Sequence, residues 1–277
     1  MQVERHSIDS AYMKGIVERA NHAFEDLPQF VDGSRRTPRN LGTLANEAIA
    51  AAAFEHVIDP TSQRIAGALR LAAEARSALF ATALNPQGPV VARLGEGEPV
   101  IYKSAPDESS VYIGAWLDGF FLNVICGDVD AIKLLCQVPN ELFLRTSTRG
   151  SEYLYHYKDA LCAYVNGTEG VVEGILAALR ATDPDRPDIH DRSGTLLLDV
   201  PQLEIFMYLI SENPKFEETL NLALEKHRDY WSSTQQSQRN FRGFISIPLT
   251  GLAALGRNRD IKFDVASPYL PMDLVLL

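Results

Sequence analysis

Two segments, Trp116 to Val138 and His156 to Ala178, each read as an apolar helix, a glycine and a second helix. Gly127 in ICGDVDAIKLL lines up with Gly167 in YVNGTEGVVEGIL, forty residues on. Glycine is the residue that closes a helix in the left-handed region without a Cβ clash. A weaker third copy, ISENPKFEETLNLAL, begins its second helix at Asn213-Pro214. One helical hairpin cannot bury its apolar face alone, so repetition at this interval predicts hairpins stacked on each other. No tetratricopeptide or ankyrin signature accompanies the spacing, which is therefore an architecture and not a named repeat. The expected fold is mainly α: a single domain, residues 1–277, of stacked helical hairpins in a solenoid-like arrangement.

The flanking sequence adds helices and one interruption. A helix is expected over Ser7 to Asp26, with Met13, Val17, Ala20 and Phe24 inward. An alanine-rich helix follows over Leu41 to Ile58. Asp59-Pro60 is expected to cap and open the next, whose inner face carries Ile65, Leu69, Ala72, Leu79 and Ala83. Val90 to Leu94 and Pro99 to Tyr102, joined through GEGE, read as a β-hairpin, and Ile261 to Val265 alternates as a possible third strand beside it. TDPDRPDIHDRSGT, Thr182 to Thr195, reads as a surface loop. A last helix is expected over Phe244 to Leu255, with Pro248 near its start.

Charge narrows the partners. Lys and Arg number 26 against 36 Asp and Glu, for a net −10. Such a chain repels nucleic acid and anionic membrane and attracts basic partners at low salt. No apolar run is read as a membrane span, and MQVERHSID has no signal-peptide core, so a cytoplasmic location is expected. Cys126, Cys136 and Cys162 are an odd count without CxxC, which reads as reduced, buried thiols.

Candidate chemistry is thin. In LEKHRDYW, Phe216, Leu220, Leu224, His227 and Trp231 share one helical stripe, so His227 is expected in the core. Glu152, His156 and Asp159 share a face, enough in principle for a metal. Tyr153, Tyr157, Leu161 and Tyr164 form the neighbouring, buried face, which leaves those three on a solvated one. Asp183, Asp185, Asp188, His190 and Asp191 lack the alternation and closing glutamate of an EF-hand loop. GEGEPV has no third glycine and lies in a hairpin turn, so it is no dinucleotide fingerprint. The sequence holds no GxSxG, phosphate loop or HExxH. No catalytic, cofactor-binding or metal residue is assigned, and a protein without enzymatic turnover is expected.

Six segments in order carry a resemblance: RSALF at Arg76, WLDGFFLNVICGD at Trp116, LCQVPNELFLR at Leu135, YLYHYKDALCAYVNG at Tyr153, ALEKHRDYW at Ala223 and the ending SPYLPMDLV. The chain resembles the bacterial immunity protein 49 family of polymorphic toxin systems from about residue 60 onward. The resemblance implies a mainly helical cytoplasmic antitoxin that binds a cognate toxin domain and blocks its active site or substrate path. Acidic loop residues Asp183, Asp185, Asp188 and Asp191, with an outward Tyr155, are the candidate toxin interface. Two other readings stand beside it. One is a helical-repeat adaptor with several partners; the other is a hydrolase using Glu152, His156 and Asp159.

Overall fold

A computed structural model describes residues 2–85, 87–104 and 109–274. The protein is mostly helical, with one small antiparallel sheet. Its elements are α1 (Ser10–Lys14), α2 (Ile16–Arg36), α3 (Asn40–Ile58), α4 (Gln63–Leu84), β1 (Val90–Ala92), β2 (Val100–Tyr102), α5 (Ile113–Cys126), α6 (Val129–Cys136) and α7 (Asn140–Phe143). There follow α8 (Glu152–Asn166), α9 (Val171–Arg180), α10 (Arg192–Gly194), a π turn (Thr195–Asp199), α11 (Val200–Ile210), α12 (Phe216–Ser232), α13 (Gln235–Gln238) and α14 (Ile247–Asn258). Contacts gather into two compact units: Met13–Arg149, and the residues through Tyr12 together with those from Gly150 on.

In the Met13–Arg149 unit each long helix packs on the next, α2 on α3, α3 on α4, α4 on α5 and α5 on α6. Alanines 45, 48, 50–53, 68, 72, 73, 75 and 78 are buried, so α3 and α4 approach closely without bulky side chains between them. Trp116 is fully buried; its Nε1 donates to the Leu135 carbonyl at 2.8 Å and its ring stacks on Phe120 at 5.2 Å. Arg76, 1 % exposed, reaches Asn46 Oδ1 at 2.8 Å and Asp118 Oδ2 at 3.2 Å, which gives its buried charge a partner.

In the second unit α8 packs on α9, α9 on α11, α11 on α12, and α14 on both α11 and α12. Its N-terminal segment is tied to its C-terminal one. Tyr269 Oη accepts the His6 amide at 2.6 Å, Ser267 Oγ donates to the Val3 carbonyl at 2.8 Å, and Arg5 Nη2 donates to the Pro268 carbonyl at 2.9 Å. His227 is buried; Nε2 donates to the Gly243 carbonyl at 3.3 Å and the ring meets the Tyr269 ring edge-on at 4.7 Å. Burial pushes its pKa down to about 3, so it is a neutral core residue, as the stripe predicts. Trp231 is half-buried and lies over Gly243, where a Cβ would come within 2.7 Å of the indole.

Both predicted glycine turns are present. Gly127 (φ 70°) and Gly167 (φ 62°) close α5 and α8 in the left-handed region. The Asp128 amide reaches the Asn123 carbonyl and the Thr168 amide reaches the Ala163 carbonyl, the same bond in both copies. The third copy makes this bond too, from Asn213 to the Tyr208 carbonyl, but Glu212 (φ 50°) takes the glycine position.

Several expectations need correction. The first long helix runs on through Pro28 to Arg36, and its buried stripe is Ile16, Ala20 and Leu27, with Met13 and Val17 exposed. Asp59-Pro60 does not open α4. Asp59 closes α3 and folds its carboxylate onto the Thr61 amide at 3.0 Å, so the N-cap position falls to Ser62. The last helix starts at Ile247 with Pro248 in its first turn, where no amide is needed. Residues 261–265 form no strand; near them only an isolated parallel bridge, Gln2 to Ala266, is made, and the sheet has two strands. Of the thiols only Cys162 is buried, Cys126 and Cys136 being half-buried. The continuous helical run Arg192–Ile210 is long and apolar enough to cross a membrane by length and composition, contrary to the reading of the sequence. It also packs on α9, α12 and α14 through Leu203, Ile205, Phe206 and Leu209.

Candidate functional site

The loop 182–191 is bound to the start of α8. Glu152 to Asn166 becomes a helix because Ser151 leaves it an extended entry and because the loop caps it. Asp188 Oδ2 accepts the Glu152 amide at 2.8 Å, and the Asp188 carbonyl accepts Ser151 Oγ at 2.7 Å. A carboxylate at a helix N-terminus satisfies an orphan amide and opposes the helix dipole. Asp188 also accepts Arg186 Nε at 3.1 Å, and Arg186 Nη2 pairs with Glu152. The amide bond from Glu152 chiefly, and then Arg186, hold the Asp188 carboxyl below its usual range.

Asp191 caps the next helix. Its Oδ1 accepts the Gly194 amide at 2.8 Å, and its Oδ2 accepts the Tyr230 hydroxyl at 2.7 Å from the end of α12. Beyond it the helix widens into the π turn. The Val200 amide bonds to the Thr195 carbonyl, five residues back. Pro201 follows and has no amide to continue the regular ladder, which accounts for the local widening.

The π turn ends on Asp199, the first of the two acids in the apolar run TLLLDVPQLEIF. Asp199 Oδ2 accepts the Tyr153 hydroxyl at 2.6 Å, and Thr195 Oγ1 lies 3.4 Å from the same hydroxyl. Burial pushes the Asp199 pKa up to about 6, against the lowering effect of Tyr153. Tyr157 lies buried against Phe206, with ring centroids 5.9 Å apart. The result is two tyrosine–aspartate bonds, Tyr153 to Asp199 and Tyr230 to Asp191, the second made by the last residue of the acidic loop. Leu196, 43 % exposed, stands on the same turn.

A raised carboxylate pKa means the charged form is penalised by folding. Asp199 therefore adds stability below its unfolded pKa near 4, and that contribution is lost as pH rises through about 6. Asp199→Asn keeps an acceptor for Tyr153 and removes a half-buried, desolvated charge. It is expected to stabilise the protein at pH 7.5 by about 1–3 kcal/mol and to have no such benefit at pH 4, read by urea denaturation at both values. A loss of stability at pH 7.5 would show that the charge is needed where it stands.

The sequence candidates fall into two groups. Asp183 and Asp185 are exposed; Asp185 forms a solvated pair with Arg192 at 3.2 Å. Asp188 and Asp191 are helix caps as well as members of the acidic loop. Tyr155 is half-buried, with its hydroxyl 3.4 Å from the Gly150 amide. Glu152, His156 and Asp159 do lie on an outer face. Glu152 and His156 are 3.4 Å apart, and Asp159 pairs with Lys158 at 3.2 Å. Among the described residues no group of three or more His, Cys, Asp or Glu is placed to hold a metal. Cavities of about 450 Å³ and 720 Å³ are lined elsewhere, by residues of the Met13–Arg149 unit. Tyr153, Tyr230 and Thr195 were not legible as site residues; the available signal was an aspartate set in an apolar run ahead of a proline.

The acidic excess is uneven. The unit containing the loop has twenty acidic against thirteen basic residues, which is seven of the ten excess negative charges. The scaffold is helical, its charge excess is acidic, and Asp188 and Asp191 of the loop serve as helix caps. The chain belongs to the family described as Immunity protein 49, whose model matches residues 56–274. No curated protein and no solved structure matches the chain.

Proposed function

We propose that this protein binds a cognate bacterial toxin domain and neutralises it by covering its active site or substrate path, without turnover. Family membership over residues 56–274 carries the reading. The acidic loop 182–191 supports it, because an exposed set of carboxylates steers a partner with a basic surface. Asp183, Asp185 and Leu196 are the residues we assign to the contact, with Asp188 and Asp191 holding the loop in place and Tyr155 beside it. The protein acts in the cytoplasm as one immunity-type domain. Co-expression with the toxin domain encoded beside it is the test. Cells carrying both should grow, and cells carrying the toxin domain alone should not. Equal killing with and without this protein, for each neighbouring toxin domain, would refute the proposal.

A further inference from the structure

The cavity of about 450 Å³ in the Met13–Arg149 unit opens between the middle of α4, the end of α5 and the start of α6. That volume lies in the range of small-ligand sites. Its wall is rich in hydrogen-bond acceptors. Asn123, 1 % exposed, is the most buried polar side chain lining it. Its Nδ2 donates to Ser77 Oγ at 2.9 Å and to the Gly119 carbonyl at 2.7 Å, which uses both amide hydrogens. Among the described residues its Oδ1 accepts from no donor. Glu74 lies half-buried in the same wall, and one of its oxygens, Oε2, accepts the Gly95 amide at 2.6 Å. Glu74 and Ser77 are three apart on α4 and share a face, so the bond from Asn123 to Ser77 sets the two acceptors side by side.

We propose that this cavity binds a guanidinium group, with Asn123 Oδ1 and the Glu74 carboxylate as its acceptors. The sign of the lining selects a cation. Glu74, Asp128 and Asp130 stand against Arg70, and among the described residues none of the three acids forms an ion pair. An anion has no opening at the start of α6, because Asp128 Oδ1 already accepts the Ala131 amide there at 2.9 Å. Burial pushes the Cys126 pKa up to about 11, so the thiol in the wall stays protonated and adds no charge. A guanidinium offers only donors, in one plane, to a wall that offers acceptors. It is also more weakly hydrated than an ammonium and loses less on entering a half-buried site. Burial holds the Glu74 carboxyl above its usual range, and the charge of Asp128 adds to this; a bound cation offsets both. The guanidinium is carried by a free small molecule or by an arginine of the toxin domain. The cavity itself is separate from the acidic loop assigned to the toxin contact.

Calorimetric titration of the purified full chain with agmatine and with L-arginine, up to about 10 mM, tests it. Both should bind with a dissociation constant of about 1 mM or below. Tetramethylammonium, which has the charge and no N–H, should bind about tenfold more weakly or worse. Glu74→Gln keeps an acceptor for Gly95 and should weaken agmatine about tenfold or more. Asp130→Asn, at an exposed position, should weaken it about two- to threefold. Circular dichroism checks that both variants fold. Failure of agmatine and L-arginine to bind overturns the proposal. So does tetramethylammonium binding as tightly as agmatine, or agmatine binding that both variants leave unchanged. Adding the toxin domain identifies the source. Agmatine that weakens toxin binding assigns the guanidinium to a toxin arginine, and agmatine that leaves it unchanged assigns it to a free molecule. Only this last arm rests on the toxin reading; the titrations stand without it.

Discussion

Trp116→Ala is expected to cost about 4 kcal/mol or more, enough to unfold much of the Met13–Arg149 unit at 37 °C. The indole is fully buried and stacked on Phe120, and such truncations cost roughly 3–5 kcal/mol through lost transfer energy and the cavity left behind. The Leu135 carbonyl also loses a donor, although it keeps the Val138 amide at 3.0 Å. Trp116→Phe separates the two contributions: it retains an aromatic ring and should cost about 1–2 kcal/mol. Guanidinium denaturation of the two variants checks both figures. A loss below about 1 kcal/mol for Trp116→Ala would mean that the site collapses around the cavity, at the low end of such substitutions. Against a typical total of about 5–15 kcal/mol, the larger loss is decisive.

Asp183→Lys combined with Asp185→Lys should leave the fold unchanged and slow toxin association by tenfold or more at low salt. Both side chains are exposed, and neither caps α8 or α10. Reversing two exposed charges at a steered interface acts on the association rate, and the effect shrinks as salt screens it. Asp188→Lys is a different experiment. It removes the cap of α8 and its bond to Arg186, so it should lower stability as well as binding. Stopped-flow association at several ionic strengths separates these cases. An unchanged rate for the double variant at low salt would exclude the loop as the steering surface.

The glycine-closed hairpins were legible because one residue type does one physical job at Gly127 and Gly167. The third turn was only half legible: Asn213-Pro214 marks it, but Glu212 adopts the left-handed conformation without any compositional signal. The register of α2 was misread because Val17 and Ile16 are neighbours and only packing decides which faces in. Residues 261–265 alternate as a strand does, yet among the described residues the segment has no partner strand, and pairing is what makes a strand. At the candidate site the acids were visible in sequence and their bonds were not. Asp191 meets Tyr230, and Asp199 meets Tyr153, across 39 and 46 residues, which no local spacing encodes. The half-buried carboxylate of Asp199 is desolvated on folding, which disfavours its charged form.

Titrating the purified cognate toxin domain with this protein, and following the toxin's own reaction, tests the central claim most directly. The account predicts that activity falls linearly to zero at one equivalent, is recovered when the complex is dissociated, and is inhibited less readily by the Asp183→Lys, Asp185→Lys variant at equal concentration. Activity that persists in excess protein, or inactivation by a catalytic trace that leaves the toxin chemically altered, would contradict it.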